Sequence, residues 1–332
     1  MTDLDELMIG ASESLCTAVR LLRRYADCDA PVLIEGETGT GKELAARQLH
    51  YAGPRRARAF VPVNCGALPD TLIEAELFGH RRGAFTDART ARAGLVDHAR
   101  GGTLFLDEVD ALSGKGQVTL LRFLQDRCYR PVGESQSVQA DVRVVAATNA
   151  PLESLVRAGR FRHDLYYRLS PLCVCLPPLR ERGGDVAQLA QHFLDQAARR
   201  MGAAAKRWSA QALQRLRAYA WPGNVRELEN VSLRAFLHGS QEEIGVAELS
   251  LVLPALAAAE PAAAQDGAIS PFTVAKARAI ATFERGYLTE LMRHSYGNVS
   301  EAARLCGTER RQLGKLLKKH GIDGRDFRQG MA

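Results

Sequence analysis

Short apolar runs alternate with helical patterns through the first half of the chain. Five of these runs are rich in β-branched residues: PVLIEG, AFVPVNC, GTLFLDE, VRVVAATN and LCVCLPP. Between them, apolar residues recur at the three- and four-residue spacing of amphipathic helices. Strands that alternate with helices predict a parallel sheet flanked by helices, so the fold class is expected to be α/β.

The pattern changes near Pro177, after which only helical patterns continue, from Asp185 to Leu253. An Ala-rich stretch at Ala255–Pro271 has no apolar period and is interpreted as a linker. We therefore expect an α/β subdomain at 1–176, a helical lid subdomain at 177–253, a linker at 254–271 and a helical DNA-binding domain at 272–332.

Composition narrows the class of protein. No run of about 18 apolar residues predicts a membrane span, and the N-terminus lacks a secretory signal, so a cytoplasmic location is expected. The seven cysteines contain no CxxC pair, which favours reduced thiols over a metal site or disulfides. The last 65 residues hold 12 Lys/Arg and 6 Asp/Glu, which accounts for the whole net charge of +6. A basic end on a neutral body indicates a nucleic-acid-binding module.

A glycine-rich motif, GETGTGK, lies between the first apolar run and a helical pattern. Backbone N–H groups of such a loop turn toward phosphate oxygens at a helix N-terminus, and a lysine reaches the β- and γ-phosphates. Glu43 stands where the general motif has a hydroxyl ligand for magnesium. The alternative is a glycine-rich helix cap. The candidate phosphate-binding residues are Gly36, Glu37, Thr38, Gly39, Thr40, Gly41 and Lys42.

Acids and amides end two of the other predicted strands. Asp107 and Glu108 follow an apolar run, as expected of a residue that holds Mg²⁺ and one that polarises the attacking water. Thr148 and Asn149 end the VRVVAATN run, where they are expected to sense the γ-phosphate or the water. The alternative for the two acids is a strand end that faces solvent.

Three arginines are candidates for phosphate contacts from outside the loop. Arg162 and Arg168 lie six residues apart, and Arg226 follows a Trp-Pro-Gly-Asn turn in which Asn224 is expected to cap the next helix. The alternative is that these arginines form ordinary surface salt bridges, which are common and weak.

The basic C-terminal segment has the pattern of a helix-turn-helix. Asn298 and Glu301 form a capping-box pair, Gly307 supplies the turn, and Thr308 is expected to cap the second helix. Residues expected to pack inward are Ala302, Ala303, Leu305, Leu313, Leu316 and Leu317. Residues expected to face DNA are Arg310, Arg311, Gln312, Lys315, Lys318 and Lys319. The alternative is a basic helix pair used for assembly.

These motifs together resemble one family, the bacterial enhancer-binding proteins that activate sigma-54 RNA polymerase, whose motor is an AAA+ P-loop NTPase domain. Matching stretches extend along nearly the whole chain: IGAS, GETGTGKE, FVPVNCGAL, ELFGH, GAFTDA, GGTLFLDE, LLRFLQ, VRVVAATN, FRHDLYYRL, LPPLRER, WPGNVRELEN and a final helix-turn-helix similar to Fis-type modules. Glu43 is typical of this family. Among its members, the chain is most similar to those that lack an N-terminal regulatory domain, with control expected from a protein in trans.

The resemblance implies roles for named residues. Lys42 and Glu43 belong to Walker A, and Asp107 and Glu108 to Walker B, with ATP and Mg²⁺ as the implied ligands. Asn64 would hold Glu108 away from the water until the target engages. The remaining implied assignments are sensor I for Thr148 and Asn149, arginine fingers for Arg162 and Arg168, sensor II for Arg226, and a nucleotide contact for Ile9. Fingers that act on the neighbouring subunit imply a hexameric ring.

The resemblance also explains GAFTDA, whose family form is GAFTGA. Phe85 and Thr86 would contact sigma-54 in the RNA polymerase holoenzyme, while 130–136 would form a second loop that moves with the first. The C-terminal module would bind upstream enhancer DNA as a dimer, through a helix at Lys276–His294. Asp87 stands where the family has glycine, so a regulator of the same architecture but uncoupled from sigma-54 is the alternative. A second alternative is an AAA+ remodelling or helicase-loading ATPase, against which the GAFT and LPPLRER stretches argue.

Overall fold

The chain forms two compact units, Met1–Ala259 and Glu260–Ala332. The computed structural model describes 8–84, 90–254 and 297–322, together with positions 280, 284, 287–289, 291–292 and 294–295. No helix within these described positions is long and apolar enough to cross a membrane. The division into these four segments, two subdomains, a linker and a DNA-binding domain, stays a prediction.

The first unit contains eleven helices and eleven strands in its described part. The helices are α1 Glu13–Ala26, α2 Lys42–Ala52, α3 Ile73–Phe78, α4 Leu95–His98, α5 Gly114–Asp126, α6 Leu152–Arg157, α7 His163–Leu169, α8 Asp185–Met201, α9 Ala210–Ala218, α10 Asn224–His238 and α11 Val246–Val252. The strands are β1 Val32–Glu35, β2 Phe60–Asn64, β3 Gly79–His80, β4 Arg92–Ala93, β5 Thr103–Asp107, β6 Cys128–Tyr129, β7 Val138–Gln139, β8 Arg143–Thr148, β9 Leu172–Cys175, β10 Arg207–Trp208 and β11 Glu243–Ile244.

The five apolar runs of the sequence form one sheet, with strand order β2-β5-β8-β1-β9. Each neighbouring pair is parallel, which confirms the predicted α/β class. The carboxyl ends of β1, β5 and β8 therefore meet at one edge, where the loops that carry the polar motifs begin. Ligand sites of open parallel sheets form at this edge.

Alternate residues of the central strands pack on opposite faces of the sheet. Phe105 and Val145 pack with apolar residues of α1 and α2, among them Leu22 and Leu49. Leu104 and its alternate neighbours pack against the opposite layer, which includes residues of α3, α5 and α7. All of these side chains are fully buried, and each buried aliphatic or aromatic residue contributes about 1.5–3 kcal/mol to folding. The sheet is thus a rigid base for the loops at its edge.

The two edge strands of the sheet are short. Strand β2 has five residues, and Pro62 at its centre is paired in register with Phe105 of β5 while its own side chain is exposed. Proline is tolerated there because an edge strand has no second neighbour that needs its N–H group.

The segment after the sheet is mainly helical, as predicted, with α8, α9, α10 and α11 around an apolar core that includes Trp221. The prediction of helices alone was wrong in one detail, since β10 and β11 form a short parallel pair. Trp208 of β10 is buried and donates its indole N–H to the Ala190 carbonyl at 3.1 Å, which stabilises the pair against α8.

A buried carboxylate joins the start of the chain to this helical subdomain. Asp185 accepts hydrogen bonds from the Ala11 and Ser12 amides at 2.7 and 3.0 Å, and it is paired with Arg182. Gly10 has φ +148, and a Cβ there would lie 2.3 Å from the Asp185 carboxylate. The Ile9-Gly10-Ala-Ser12 stretch is therefore fixed by shape as well as by hydrogen bonds.

The second unit contains α12 Val299–Leu305 and α13 Arg310–Lys319, joined by a turn at Gly307 with φ +68. Asn298 caps α12 as predicted, accepting from the Ser300 and Glu301 amides at 3.1 and 3.3 Å. The reciprocal half of the capping box is absent among the described residues, because Glu301 pairs with Arg304 instead. Most of the Lys276–His294 helix lies outside the described residues.

Two details of the predicted helix-turn-helix were wrong. Thr308 does not cap α13, because Glu309 occupies the N-cap position and the Thr308 hydroxyl lies 2.9 Å from the Cys306 thiol. Leu305 is 54% exposed rather than packed inward, because it ends the short helix α12. The inward packing of the other residues is confirmed: Ala302, Ala303, Leu313 and Leu317 are buried, and Leu316 packs against them partly buried.

Candidate nucleotide and DNA sites

The loop between β1 and α2 has the backbone that the glycine-rich motif predicts. Gly39 and Gly41 have φ +81 and +100, a region open to glycine at little cost, and Gly41 is the N-cap of α2. A Cβ on Gly39 would lie 2.3 Å from the Gly223 carbonyl oxygen. The loop is therefore shaped both by its own turn and by the close approach of the helical subdomain.

Lys42 is the first residue of α2 and lies buried beneath the loop. Its Nζ donates to the Gly36 carbonyl at 2.7 Å, the Glu37 carbonyl at 3.1 Å and the Asn149 Oδ1 at 2.7 Å. Burial lowers the pKa of the ammonium group, while the charges of Asp107, Asp110 and Glu108 act in the opposite direction. The lysine charge thus interacts electrostatically with the acids at and after the end of β5.

Those acids follow β5 in a turn with unusual geometry. Burial raises the pKa of Asp107, partly offset by the hydrogen bond at 3.0 Å that its Oδ1 accepts from the Glu108 amide. Glu108 itself has φ +55, which costs a non-glycine residue about 1 kcal/mol or more. This left-handed turn directs the Glu108 carboxylate toward the end of β8.

Asn149 connects the acids to the glycine-rich loop. Its Nδ2 donates to Glu108 Oε1 at 3.4 Å, and its Oδ1 accepts from Lys42 and from the Thr38 hydroxyl at 3.2 Å. Its backbone amide donates to Asp110 Oδ1 at 3.2 Å. Thr148 differs, because it is buried and its hydroxyl bonds to the Ala150 backbone. Its backbone carbonyl accepts from the Gly36 amide at 3.3 Å, so Thr148 contacts the glycine-rich loop through its main chain and Asn149 through its side chain.

Asn64 has a different local role in this conformation. Its Oδ1 accepts from the Gly66 and Ala67 amides at 2.8 and 3.2 Å and so begins a 3-10 turn. Within the described part of the chain, the Asn64 side chain makes no hydrogen bond to Glu108. The Glu108 carboxylate accepts from the Asn149 side-chain amide instead. A Cβ on Gly66 would lie 3.0 Å from Glu108 Oε2 and 3.2 Å from Asn64 Oδ1, so the two side chains flank the same glycine.

A cavity of about 230 Å³ lies between the glycine-rich loop, the acids and α10. Its lining residues are Thr38, Gly39, Gly41, Lys42, Glu43, Leu44, Asp107, Glu108, Asn149, Val225, Arg226 and Glu229. Of the predicted nucleotide residues, Ile9, Gly36, Glu37 and Thr40 do not line it. Ile9 instead packs against the core of the helical subdomain.

Glu43 and Arg226 enter this cavity from opposite sides. Glu43 is half-exposed and pairs with Arg47 at 2.7 Å, one turn further along α2. Arg226 is exposed, and its backbone amide and that of Val225 point at the Gly39 carbonyl at 3.4 and 3.0 Å. The α10 backbone thus contacts the glycine-rich loop directly, while the Arg226 guanidinium remains available to a phosphate.

Arg162 and Arg168 lie elsewhere, on the exposed face of α7. Arg162 forms a two-point ion pair with Asp164 at 2.8 and 3.1 Å, and Arg168 forms no ion pair with any residue that the structure describes. Neither arginine lines the cavity of its own chain.

Sequence reasoning missed three contributors to the site. Asp110 is the third acid of the DEVD stretch, and Glu229 lies one turn beyond Arg226. Asn224 is not the predicted helix cap: it is the first residue of α10, with φ +52, and its side chain points back to the glycine-rich loop. The three acids of the DEVD stretch are visible in the sequence, but the direction of the Asn224 side chain is not.

The cavity fits a magnesium nucleotide by its own chemistry. Gly39 and Gly41 leave room for backbone approach, Lys42 and Arg226 supply positive charge, and Asp107 is the carboxylate suited to a hard cation. Asp107 and Lys42 are both pushed toward neutrality by burial, which a bound cation and phosphate would offset.

A second functional region surrounds the GAFTDA stretch. Phe85, Thr86 and Asp87 lie outside the described residues, but the base of their loop is the antiparallel pair β3–β4. The segment after β6 packs on this base: Val132 exchanges backbone hydrogen bonds with Gly79 and Arg81 at 2.9 and 3.0 Å. Arg81 also forms an ion pair with Glu134 of that segment. The two loops predicted to move together are therefore joined at their bases.

The predicted DNA-facing residues share the exposed side of α13, opposite the buried Leu313 and Leu317. They are Arg310, Arg311, Gln312, Lys315, Lys318 and Lys319. Lys319 differs from the rest, because its ammonium pairs with Glu284 at 2.9 Å. The other cations on this face form no ion pair with a described residue, so the helix presents positive charge to solvent.

Three models of known protein families match this chain. The Sigma-54 interaction domain matches residues 8–174, the AAA+ ATPase lid domain 180–266, and the Bacterial regulatory protein, Fis family, 279–320. The nitrogen fixation protein AnfA of Azotobacter vinelandii is 42% identical over 320 residues, which are 96% of this chain and 58% of AnfA. The transcriptional regulatory protein GlrR of Escherichia coli is 40% identical over 324 residues, 98% of this chain and 70% of GlrR.

Solved structures agree with the sequence matches. NtrX from Brucella abortus in complex with ADP has a TM-score of 0.70 at 30% identity, covering 95% of this chain and 70% of NtrX. The same protein in complex with ATP also has a TM-score of 0.70. With its AAA+ P-loop fold, helical lid and Fis-type helix-turn-helix, the chain belongs to the family of sigma-54 transcriptional regulators.

Proposed function

We propose that this protein hydrolyses ATP in an oligomeric ring and uses the energy to remodel sigma-54 RNA polymerase bound at a promoter. The observation that carries the proposal is the hydrogen-bonded chain from Lys42 through Asn149 to Glu108 inside the cavity. It connects the residue suited to bind phosphate to the residue suited to activate water. The alternatives, a glycine-rich helix cap and a strand end that faces solvent, would require neither the Lys42–Asn149 nor the Asn149–Glu108 hydrogen bond.

The residues divide the chemistry among themselves. Lys42 and the loop amides bind and orient the phosphates, and Asp107 holds Mg²⁺, which when bound neutralises charge on the phosphate oxygens. Glu108 accepts the proton of the attacking water. Asn149 holds Glu108 Oε1 in this conformation, so we propose that it shares with Asn64 the control of the glutamate position.

The position of α7 supports the proposal of ring assembly. Arg162 and Arg168 do not line the cavity of their own chain, yet both are exposed. We therefore propose that they reach the nucleotide of a neighbouring subunit in a hexamer, where they stabilise charge that develops on the phosphates.

The loop that carries the GAFTDA stretch would couple ATP hydrolysis to the polymerase. Phe85 and Thr86 would contact sigma-54, and the ion pair of Arg81 with Glu134 supports coordinated movement of the two loops. Asp87 adds a negative charge where the family has glycine. A regulator that binds DNA but is uncoupled from sigma-54 is the second candidate, because this charge lies in the contact motif.

Open-complex formation tests the proposal directly. With sigma-54 holoenzyme, promoter DNA and ATP, the wild-type protein is expected to open DNA, and Asp87→Gly to open it at least as fast because glycine restores backbone freedom. Thr86→Ala provides the matched loss-of-contact control and is expected to be inactive with normal ATP turnover. If Asp87→Gly opens DNA and the wild-type protein does not, the uncoupled regulator is favoured. If neither the wild-type protein nor Asp87→Gly opens DNA, the sigma-54 function is refuted.

DNA binding by the C-terminal unit is expected to depend steeply on salt. If a dimer neutralises six or more phosphates, its affinity should fall about a thousandfold or more between roughly 50 and 200 mM salt. Arg310→Gln and Lys315→Gln should each lower the slope of log affinity against log salt, whereas Arg157→Gln, an exposed change on α6, should not. Fluorescence anisotropy with upstream promoter DNA measures all four proteins, and salt-independent binding would favour the assembly alternative.

A further inference from the structure

An ion pair joins the glycine-rich loop to the segment that enters the helical lid. Arg180, in the 3-10 turn Leu179–Glu181, donates two hydrogen bonds to the Glu37 carboxylate at 2.8 and 2.6 Å. Such a two-point arrangement fixes the orientation of both groups as well as their distance. Glu37 does not line the cavity that holds Lys42 and Asp107; together with Gly36 and Arg180 it lines a neighbouring cavity of about 360 Å³.

Asn224, the first residue of α10, also connects the lid to the glycine-rich loop. Its Nδ2 donates to Glu37 Oε2 at 3.2 Å and to the Thr38 carbonyl at 3.0 Å, and its Oδ1 accepts from the Leu179 amide at 2.8 Å. The residue is fully buried, so each of these bonds replaces one to water. One side chain thus ties the glycine-rich loop, the lid entry and the start of α10 together.

The backbone at Asn224 is held in a costly conformation. Its φ is +52, in the left-handed region that asparagine tolerates better than most residues. A strained, buried residue persists when its surroundings hold it there, and such residues are found at functional contacts. The hydrogen bonds of the Asn224 side chain supply that constraint.

These contacts set the position of the cavity wall. The next two residues, Val225 and Arg226, point their amides at the Gly39 carbonyl, and both line the cavity. Three consecutive loop residues, 37–39, therefore contact the lid, and the Arg226 side chain starts from a point fixed against the loop. A shift of the lid would move Arg226 relative to any bound phosphate.

We propose that Glu37, Arg180 and Asn224 form a loop–lid clasp that positions Arg226 and thereby sets the affinity of the site for nucleotide. The inference rests on the proposed ATPase function and assigns Glu37 a positioning role. The ion pair is more than 40% exposed on both sides, so its effect on the free energy of unfolding is expected to be small. The ion pair is expected instead to affect nucleotide binding, because it fixes the position of Arg226.

The charge of the clasp is constant near neutral pH. The hydrogen bonds from Arg180 and then Asn224 lower the pKa of Glu37 to about 2. The stability linked to this carboxylate is therefore present above its ordinary pKa and is lost only as the pH falls toward 2. The effects of Glu37→Gln and Arg180→Gln on nucleotide binding can therefore be measured at a single pH near neutrality.

A double-mutant cycle in the full chain tests the clasp. Glu37→Gln and Arg180→Gln are each expected to weaken ADP binding and raise the KM for ATP roughly fivefold, with kcat little changed. Because both changes break the same ion pair, the double variant should be no weaker than either single variant. Arg157→Gln, which breaks an exposed ion pair with Glu153, is the matched control and should bind as wild type does.

A second measurement makes the clasp testable without nucleotide. Amide hydrogen exchange at Val225 and Arg226 should accelerate in Glu37→Gln and Arg180→Gln but not in Arg157→Gln. Unchanged exchange, or single effects that multiply in the double variant, would overturn the clasp and leave the ATPase proposal intact. A wild-type protein that binds no ADP would overturn the ATPase proposal, while the exchange measurement still decides the clasp.

Discussion

Glu108→Gln is expected to abolish ATP turnover while the protein still binds nucleotide. Glutamine has nearly the same shape and keeps an amide oxygen for the hydrogen bond from Asn149 Nδ2. It cannot accept the proton of the attacking water, a contribution worth roughly 10²- to 10⁴-fold in rate. Steady-state phosphate release measures the turnover, and ADP titration measures the binding.

Two comparisons make the Glu108 result specific. Lys42→Ala should lose both turnover and binding, because the buried ammonium is the main positive charge beneath the loop. Glu153→Gln, on the exposed surface of α6, should lose neither. Turnover by Glu108→Gln within a few-fold of wild type would show that another residue activates the water.

Arg168→Ala is expected to be inactive by itself but to regain activity when mixed with Glu108→Gln. In a mixed ring, a site with an intact Glu108 can receive Arg168 from a neighbouring subunit of the other variant. Random mixing in equal amounts makes about one interface in four competent, so roughly a quarter of the wild-type rate should return. The recovery should depend on protein concentration, because it requires assembly.

The mixing experiment separates two explanations of an inactive Arg168→Ala protein. If Arg168 acts within its own chain, no mixture of the two variants contains a complete site and the rate stays near zero. Arg162→Ala can be tested in the same way, since its ion pair with Asp164 would first have to open. Arg157→Ala, an exposed arginine on the neighbouring helix, should be active without a partner.

The fold was predictable because the sheet is a local pattern repeated five times. Each buried strand appears as an apolar run, and the parallel direction of the strands is expected from the helical segments between the runs. The glycine-rich loop and the acids after β5 were predictable for the same reason: each motif occupies one short stretch. The structure then brings Lys42, Glu108 and Asn149 together because parallel strands end at the same edge.

Long-range contacts were not predictable from these patterns. The sequence could not show that Asn224 bonds to Glu37, which lies 187 residues away, rather than capping its own helix. The choice depends on a left-handed backbone that only the packed lid imposes. The predictions for Thr308 and Leu305 were wrong for a related reason. A shift of one residue in a short helix changes both its cap and its buried face.

Pro62 has a consequence for the proposed ring, in which subunits would lie side by side. The free edge of a sheet can pair with another chain and seed aggregation, and β2 is such an edge. A proline at its centre removes one of the donors that an incoming strand would need, and the strand offers only five residues. Subunits brought side by side are thus discouraged from fusing their sheets, and association is left to side-chain surfaces that can separate again.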